Sequence, residues 1–280
     1  MKLKYMTKTF TLFTILFAMT LLASGPAFAW TVSTNFENGQ VGAKAQGSSG
    51  FNEAGSATIF SSEKSASGTK SAKMTWPKGS DGWAVAHGFI DYPNIGNGSE
   101  IWARGFFYFS SPWSWACSPV IKVLRGAHVA NSGGGNVGYH SVFADGSGDI
   151  LLSNEPGDAQ ISTRVKFDID KWQCIEMYVK LSTSDPIFRI WKNGTLIYED
   201  RSHLTLRSSS DYADFAYIMT YWNGGAPQVQ TQFVDDFIIT NERPSKVDNK
   251  GNPMIGPGAW TGGGGDVNNP SAPTGLKVIQ

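Results

Sequence analysis

Apolar and polar residues alternate with period two along almost the whole chain, and no stretch of a dozen residues carries the 3.6-residue period of an amphipathic helix. That pattern restricts the fold to antiparallel β-structure, because alternate side chains of a strand point to opposite faces. Glu100 to Phe109 puts Ile101, Ala103, Gly105, Phe107 and Phe109 on one face and Trp102, Arg104, Phe106 and Tyr108 on the other. Residues 172–182 behave likewise, with Ile175, Met177, Val179 and Leu181 opposed to Cys174, Glu176, Tyr178 and Lys180. Between Phe188 and Tyr198, Asn193-Gly194 separates two alternating runs. Both residues of so tight a turn must accept positive φ, which predicts a hairpin pairing Ile190 with Ile197, Trp191 with Leu196 and Arg189 with Tyr198. Further strands are predicted at 56–62, 71–77, 83–92, 119–129, 136–144, 149–154, 161–167, 214–223 and 231–241. About a dozen antiparallel strands exceed what one open sheet holds, so they must stack as two sheets or close as a barrel.

Composition agrees, and it excludes some partners. Only 16% of the residues are charged, while glycine (32) and aromatics (10 Trp, 9 Tyr, 17 Phe) are abundant, as short strands and tight turns require. The formal net charge is zero, which leaves no electrostatic footprint for nucleic acid. Lys2, Lys4 and Lys8 precede an apolar run from Phe10 to Leu22 and a small-x-small site at Ala27-Phe28-Ala29. This predicts a signal peptide over 1–29 cleaved before Trp30, since the apolar run falls short of the roughly 20 residues that span a bilayer. The expected product is exported, periplasmic or extracellular, with no membrane attachment after cleavage. Its balance shifts to 20 basic against 23 acidic residues, because three lysines leave with the leader. Export permits a disulfide between Cys117 and Cys174, closing a loop of about 57 residues; two unpaired thiols are the alternative. After Asn241 the periodicity stops. Residues 243–280 are rich in proline and glycine and are predicted to form a flexible tail behind a β domain over 30–242. Within that tail, Pro270 to Val278 looks like the opening strand of a fibronectin type III domain.

Three segments, in this order, resemble the concanavalin A-like lectin/glucanase superfamily, in particular its polysaccharide-lyase-like members. They are Ser99-Glu100-Ile101-Trp102-Ala103-Arg104, then Lys171-Trp172 through Glu176 with Trp191-Lys192-Asn193-Gly194, and finally Phe233-Val234-Asp235-Asp236-Phe237. The resemblance implies an antiparallel two-sheet β-sandwich, a jelly roll whose concave face often binds a sugar chain.

Polysaccharide is therefore the expected partner. A retaining glycosidase needs two carboxylates about 5 Å apart, usually on one strand, and no Glu-x-Asp-x-Glu spacing occurs here. If the protein is an enzyme, a polysaccharide lyase fits better than a glycoside hydrolase. β-Elimination needs a base, an acid and a cation beside a uronic-acid carboxylate. The strands offer Arg104, Lys122, Arg125, His128, Tyr139, His140, Lys180, Arg189 and Tyr221, of which His140 is the best base by its mid-strand position, with Tyr139, Tyr221 and Arg104 as its partners. A sugar-binding face is predicted from Trp102, Glu176, Tyr178, Lys180, Arg189 and Trp191, which lie opposite the apolar rows, with Trp222 at a strand end. Trp113 and Trp115 are further loop platforms. No cofactor is required; a structural calcium ion has only Asp145, Asp149 and Asp235 as weak candidate ligands. Three readings stay open: a polysaccharide-binding protein, a lyase acting on a uronic-acid polymer, and a non-catalytic envelope or adhesive protein.

Overall fold

The computed structural model describes residues 29–83 and 85–260. The expected leader and the last twenty residues of the expected tail lie outside them. The described strands are β1 (Thr31–Thr34), β2 (Glu53–Ala54), β3 (Thr58–Ser61), β4 (Ser71–Trp76), β5 (Gly88–Gly96), β6 (Glu100–Phe109), β7 (Ile121–Ala130), β8 (Asn136–Ala144), β9 (Asp149–Asn154), β10 (Ala159–Lys166), β11 (Gln173–Lys180), β12 (Ile187–Lys192), β13 (Thr195–Asp200), β14 (Tyr212–Trp222) and β15 (Gln230–Thr240). They form an antiparallel two-sheet β-sandwich. The first sheet runs β13-β12-β11-β6-β15-β4-β3, with β1 also paired to β15, and the second runs β10-β9-β8-β7-β14-β5-β2.

The alternation read from the sequence decides what lies between the sheets. Ile101, Ala103 and Phe107 of β6 join Ile175, Met177 and Val179 of β11 in one core with Val123, Leu124, Ile150, Leu152 and Ile218 of the second sheet. The sheets approach closely at Gly126 of β7, where an added Cβ would come within 2.4 Å of Met177 Sδ and the Met177 side chain would have to shift. The Asn193-Gly194 hairpin forms, with Trp191 opposite Leu196 as expected. A bulge then shifts the register, so that Ile190 faces Tyr198 rather than Ile197, and Arg189 faces Glu199 rather than Tyr198.

Two departures from simple alternation matter for function. The first is in β7. Lys122 pairs with Phe143 and Leu124 with Val142, while Arg125 pairs with Ser141 and Ala127 with His140. Val123 and Gly126 are thus extra residues, and each bulge inverts the parity of the strand beyond it. Lys122, Arg125 and His128 consequently share the outer face, while Val123, Leu124, Ala127 and Val129 are in the core.

The second concerns the expected tail. As far as residue 260 it is packed across the outer face of the first sheet. Met254 and Ile255 are buried with Trp102, Tyr178, Ile187, Trp191 and Ile238. The Glu176 carboxylate accepts the N–H groups of Ile255 (2.7 Å) and Gly256 (2.8 Å), and Arg104 Nη1 donates to the carbonyls of Gly256 (3.3 Å) and Gly258 (3.1 Å). Trp102 Nε1 donates to the Pro253 carbonyl (3.1 Å) and Trp191 Nε1 to Asp248 Oδ2 (2.9 Å). The segment has no periodicity because it pairs with side chains rather than with a strand.

Two buried carboxylates set a pH dependence. Burial, opposed by the Gly256 and Ile255 N–H groups of this covering strap (residues 244–260), raises Glu176 to about 7. Burial and then the neighbouring Asp236 charge raise Asp235, which accepts the N–H groups of Ala66 and Ser67, to about 7 as well. Both groups bind protons in the folded chain at a pH where the unfolded chain has released them, so stability falls as pH rises through 7. His140 acts oppositely: burial lowers it to about 4, so the unfolded chain gains its proton first as pH falls below 6.5. With two groups against one, the melting temperature is expected to rise from pH 8 to pH 6, and Asp235→Asn to remove most of that rise, because the remaining carboxyl is then largely offset by His140. A flat or falling melting temperature over that interval would contradict the assignment.

Candidate functional site

The predicted sugar face does not survive the fold as an open surface. Trp102, Glu176, Tyr178, Arg189 and Trp191 do share the outer face of the first sheet, as their parity requires, but none is more than 5% exposed. The strap covers Trp102, Arg104, Glu176 and Trp191, while Arg189 is paired with Glu199 and Tyr178 donates to Glu100. Lys180, at the margin, is paired with Asp185. Trp222 points into the core, its Nε1 donating to the Ala116 carbonyl, and Trp113 and Trp115 pack there with Phe109 and Phe167. His140 is fully buried between the sheets, bonded through Nε2 to the Thr205 carbonyl (2.8 Å) beside the Phe188 ring, so it is out of reach as a base. Arg104 lies on the other sheet from His140 and Tyr139.

Of the predicted catalytic group, Tyr139 and Tyr221 remain together on the outer face of the second sheet, and they lead to a cluster. Its spine is the β7 row Lys122, Arg125 and His128. β14 lies on one side, with Tyr221 opposite Lys122 and Tyr217 opposite Arg125, and β8 on the other, with Ser141 opposite Arg125 and Tyr139 opposite His128. Lys122 Nζ sits 4.0 Å from the Tyr221 ring centroid, and the Arg125 guanidinium lies 3.5 Å from that of Tyr139. Arg125 Nη2 donates to Glu155 Oε1 (2.6 Å), while Arg125 Nε and Ser141 Oγ have no hydrogen-bond partner. His128 Nδ1 meets Asp214 Oδ1 (2.7 Å), Nε2 faces Asn136 Oδ1 (3.1 Å), and its ring stacks on Phe215 at 4.2 Å.

The electrostatics separate donors from acceptors. Burial, and then the positive charge of Arg125, lower the half-buried Lys122 ammonium to about 8, so a substantial fraction is free amine just above neutrality. Burial raises the Tyr139 hydroxyl, against the favourable field of Arg125, and raises Tyr217, to which Tyr139 is hydrogen bonded. Both phenols keep their protons. A lysine able to accept a proton, phenols able to give one, and a guanidinium between them match the parts that β-elimination needs.

Period-two reasoning missed Tyr217 and did not single out Lys122 or Arg125 because parity is reset inside β7. The doublets Val123-Leu124 and Gly126-Ala127, each two core residues in succession, are the signal that marks the two bulges.

The candidate calcium ligands are otherwise engaged. Asp145 Oδ1 accepts the N–H groups of Ser147 and Asp149 in its own turn, Asp149 faces Lys166, and Asp235 holds the loop at Ala66 and Ser67. Among the described residues no group of three or more His, Cys, Asp or Glu side chains could hold a metal ion. Cys117 and Cys174 are both free thiols.

No family model and no curated protein matches the chain. Solved structures do. An endo-β-1,4-glucuronan lyase from the fungus Trichoderma reesei matches with TM-score 0.53 at 13% identity, over 75% of this chain and 94% of that one. The alginate lyase Aly36B matches with TM-score 0.56 at 15% identity, over 80% and 100%. The alginate lyase vAL-1 from Chlorella virus matches with TM-score 0.52 at 14% identity, over 66% and 89%. At these identities the likeness is one of fold: the chain has an antiparallel two-sheet jelly roll of the kind seen in these three lyase structures.

Proposed function

We propose that the protein is a polysaccharide lyase that cleaves a uronic-acid polymer by β-elimination on the outer face of the second sheet. The observation that carries the reading is the row Lys122, Arg125 and His128 set between Tyr217 and Tyr221 on one strand and Tyr139 on the other. Lys122 as free amine takes the C5 proton. The electron pair forms the C4–C5 double bond and expels the 4-oxygen, which takes its proton from Tyr139. Arg125 offsets the substrate carboxylate and so lowers the cost of the carbanion-like transition state. Tyr217 positions the Tyr139 hydroxyl, and the Arg125 guanidinium stacked on the Tyr139 ring fixes it from the face. Structures with this fold include glucuronan and alginate lyases, and Aly36B has been solved with alginate tri- and tetrasaccharides. The leader expected over 1–29 would deliver the enzyme to such a polymer outside the cytoplasm.

The test is incubation of the protein with a panel of polyuronates while monitoring the ultraviolet absorbance of the unsaturated ends. Steady production is expected on at least one polymer, with kcat reduced about a hundredfold in Tyr139→Phe, which lacks the donated proton. Saturable binding without unsaturated ends would instead make this face a non-catalytic glycan receptor.

A further inference from the structure

We propose that Trp83 is a sugar-stacking platform that extends the reactive face beyond Tyr217 and holds one pyranose ring of the polymer. This rests on the lyase reading for its substrate, but on separate observations for its site. Trp83 is the one exposed tryptophan among the described residues, at 48%, whereas most of the others are buried. Its indole meets the Tyr217 ring edge-on at 5.7 Å and lies 6.4 Å from the His87 ring, so it borders the Arg125–Tyr217 level of the face.

The loop around it is built to present it. Trp83 N–H donates to Asp81 Oδ1 (3.0 Å), and its carbonyl faces His87 Nδ1. The Asp81 carbonyl accepts the Trp222 N–H at the end of β14 (2.6 Å), which ties the loop to the strand that carries Tyr217 and Tyr221. Gly82, at φ 86°, lies against the buried Trp76 indole, where an added Cβ would come within 2.0 Å of Nε1. The Gly82 carbonyl then accepts the N–H groups of Val85 and Ala86. The hydrogen bonds at Asp81, Gly82 and Trp83 thus hold an exposed indole beside the reactive row.

The dimensions fit a chain laid across the strands. Ser153, Ser141, Arg125, Tyr217 and Phe89 are register neighbours on β9, β8, β7, β14 and β5. Four strand gaps of about 4.8 Å give roughly 19 Å, the length of about four sugar units, with Trp83 at the β5 end. The indole supplies an apolar plate for the C–H face of the sugar at that end, while Arg125 and its neighbours take the charged centre.

The experiment has two arms, read separately from wild-type turnover. In the first, the Lys122→Ala protein is titrated with a tetrauronate while tryptophan fluorescence is recorded; a saturable change is expected, and it should vanish in Lys122→Ala/Trp83→Phe. In the second, Trp83→Ala is expected to raise KM for the polymer about tenfold while lowering kcat less than about threefold, with Trp83→Phe restoring most of the loss. A fluorescence change that persists without Trp83, or a Trp83→Ala enzyme with wild-type KM, overturns the platform. Absence of turnover in the wild type with the fluorescence change intact overturns the lyase reading and leaves the platform standing.

Discussion

Lys122→Ala is expected to lower kcat about a thousandfold on a polyuronate while leaving the melting temperature nearly unchanged. The size follows from the role: a general base contributes about 10²–10⁴ in rate, and Lys122 is the lysine of the β7 row that also carries Arg125 and His128. Lys122→Arg is the sharper variant. It keeps the positive charge but cannot release a proton, so it should be as inactive as alanine, whereas a purely electrostatic role would leave it partly active. The pH profile carries the same information. Free amine is the working form and Lys122 is lowered to about 8, so kcat/KM should climb as pH rises toward 8 and level off above it. A profile that falls through that range would remove Lys122 as the base.

Ending the chain at Arg243 is expected to have the largest effect on stability. Met254 and Ile255 each bury an apolar side chain, worth about 1.5–3 kcal/mol apiece, and the hydrogen bonds to Glu176 and Arg104 add about 1.5–3 kcal/mol each because they involve charged groups. These terms are opposed by the entropy of ordering the segment, and the net loss is expected to be comparable with the whole stability of an ordinary domain, about 5–15 kcal/mol. Trp102, Trp191, Tyr178 and Ile238 would then form an exposed apolar patch, so aggregation should accompany the loss. Ile255→Ala in the full chain is the milder version, expected to cost about 2–4 kcal/mol by denaturant unfolding. Buried Cys174, on the covered face and within the field of Lys246, reports the opening: it should react with thiol reagents only slowly in the full chain and quickly in the shortened one. A shortened chain that melts like the full one would show that the strap is not part of the fold's stability.

These two results also mark where the sequence is legible. Alternation locates most of the longer strands, because parity depends only on neighbouring residues, and the Asn193-Gly194 turn is found because its chemistry is local. Parity also groups Trp102 with Arg104, and Glu176 with Tyr178, correctly. It does not say what covers a face. The cover is residues 244–260, whose bonds run from backbone amides and carbonyls to side chains more than seventy positions away, a pattern without period. His140 shows the same limit: its row within β8 is plain, but whether that row faces inward depends on the opposing sheet. The reactive row is hidden for a different reason. Two single-residue bulges in β7 bring Lys122, Arg125 and His128 to one side at a spacing of three, which simple alternation scatters over both. An aromatic-and-charged face is thus the mark of a structural latch on the first sheet and of a candidate active site on the second.

The most direct test is to locate the ligand. Backbone amide chemical shifts of the Lys122→Ala protein should be mapped during titration with a tetrauronate. Shifts concentrated on β7, β8 and β14, around Arg125, Tyr139 and Tyr217, are the predicted result. Shifts concentrated on β6, β11 and β12, around Trp102 and Tyr178, would contradict it.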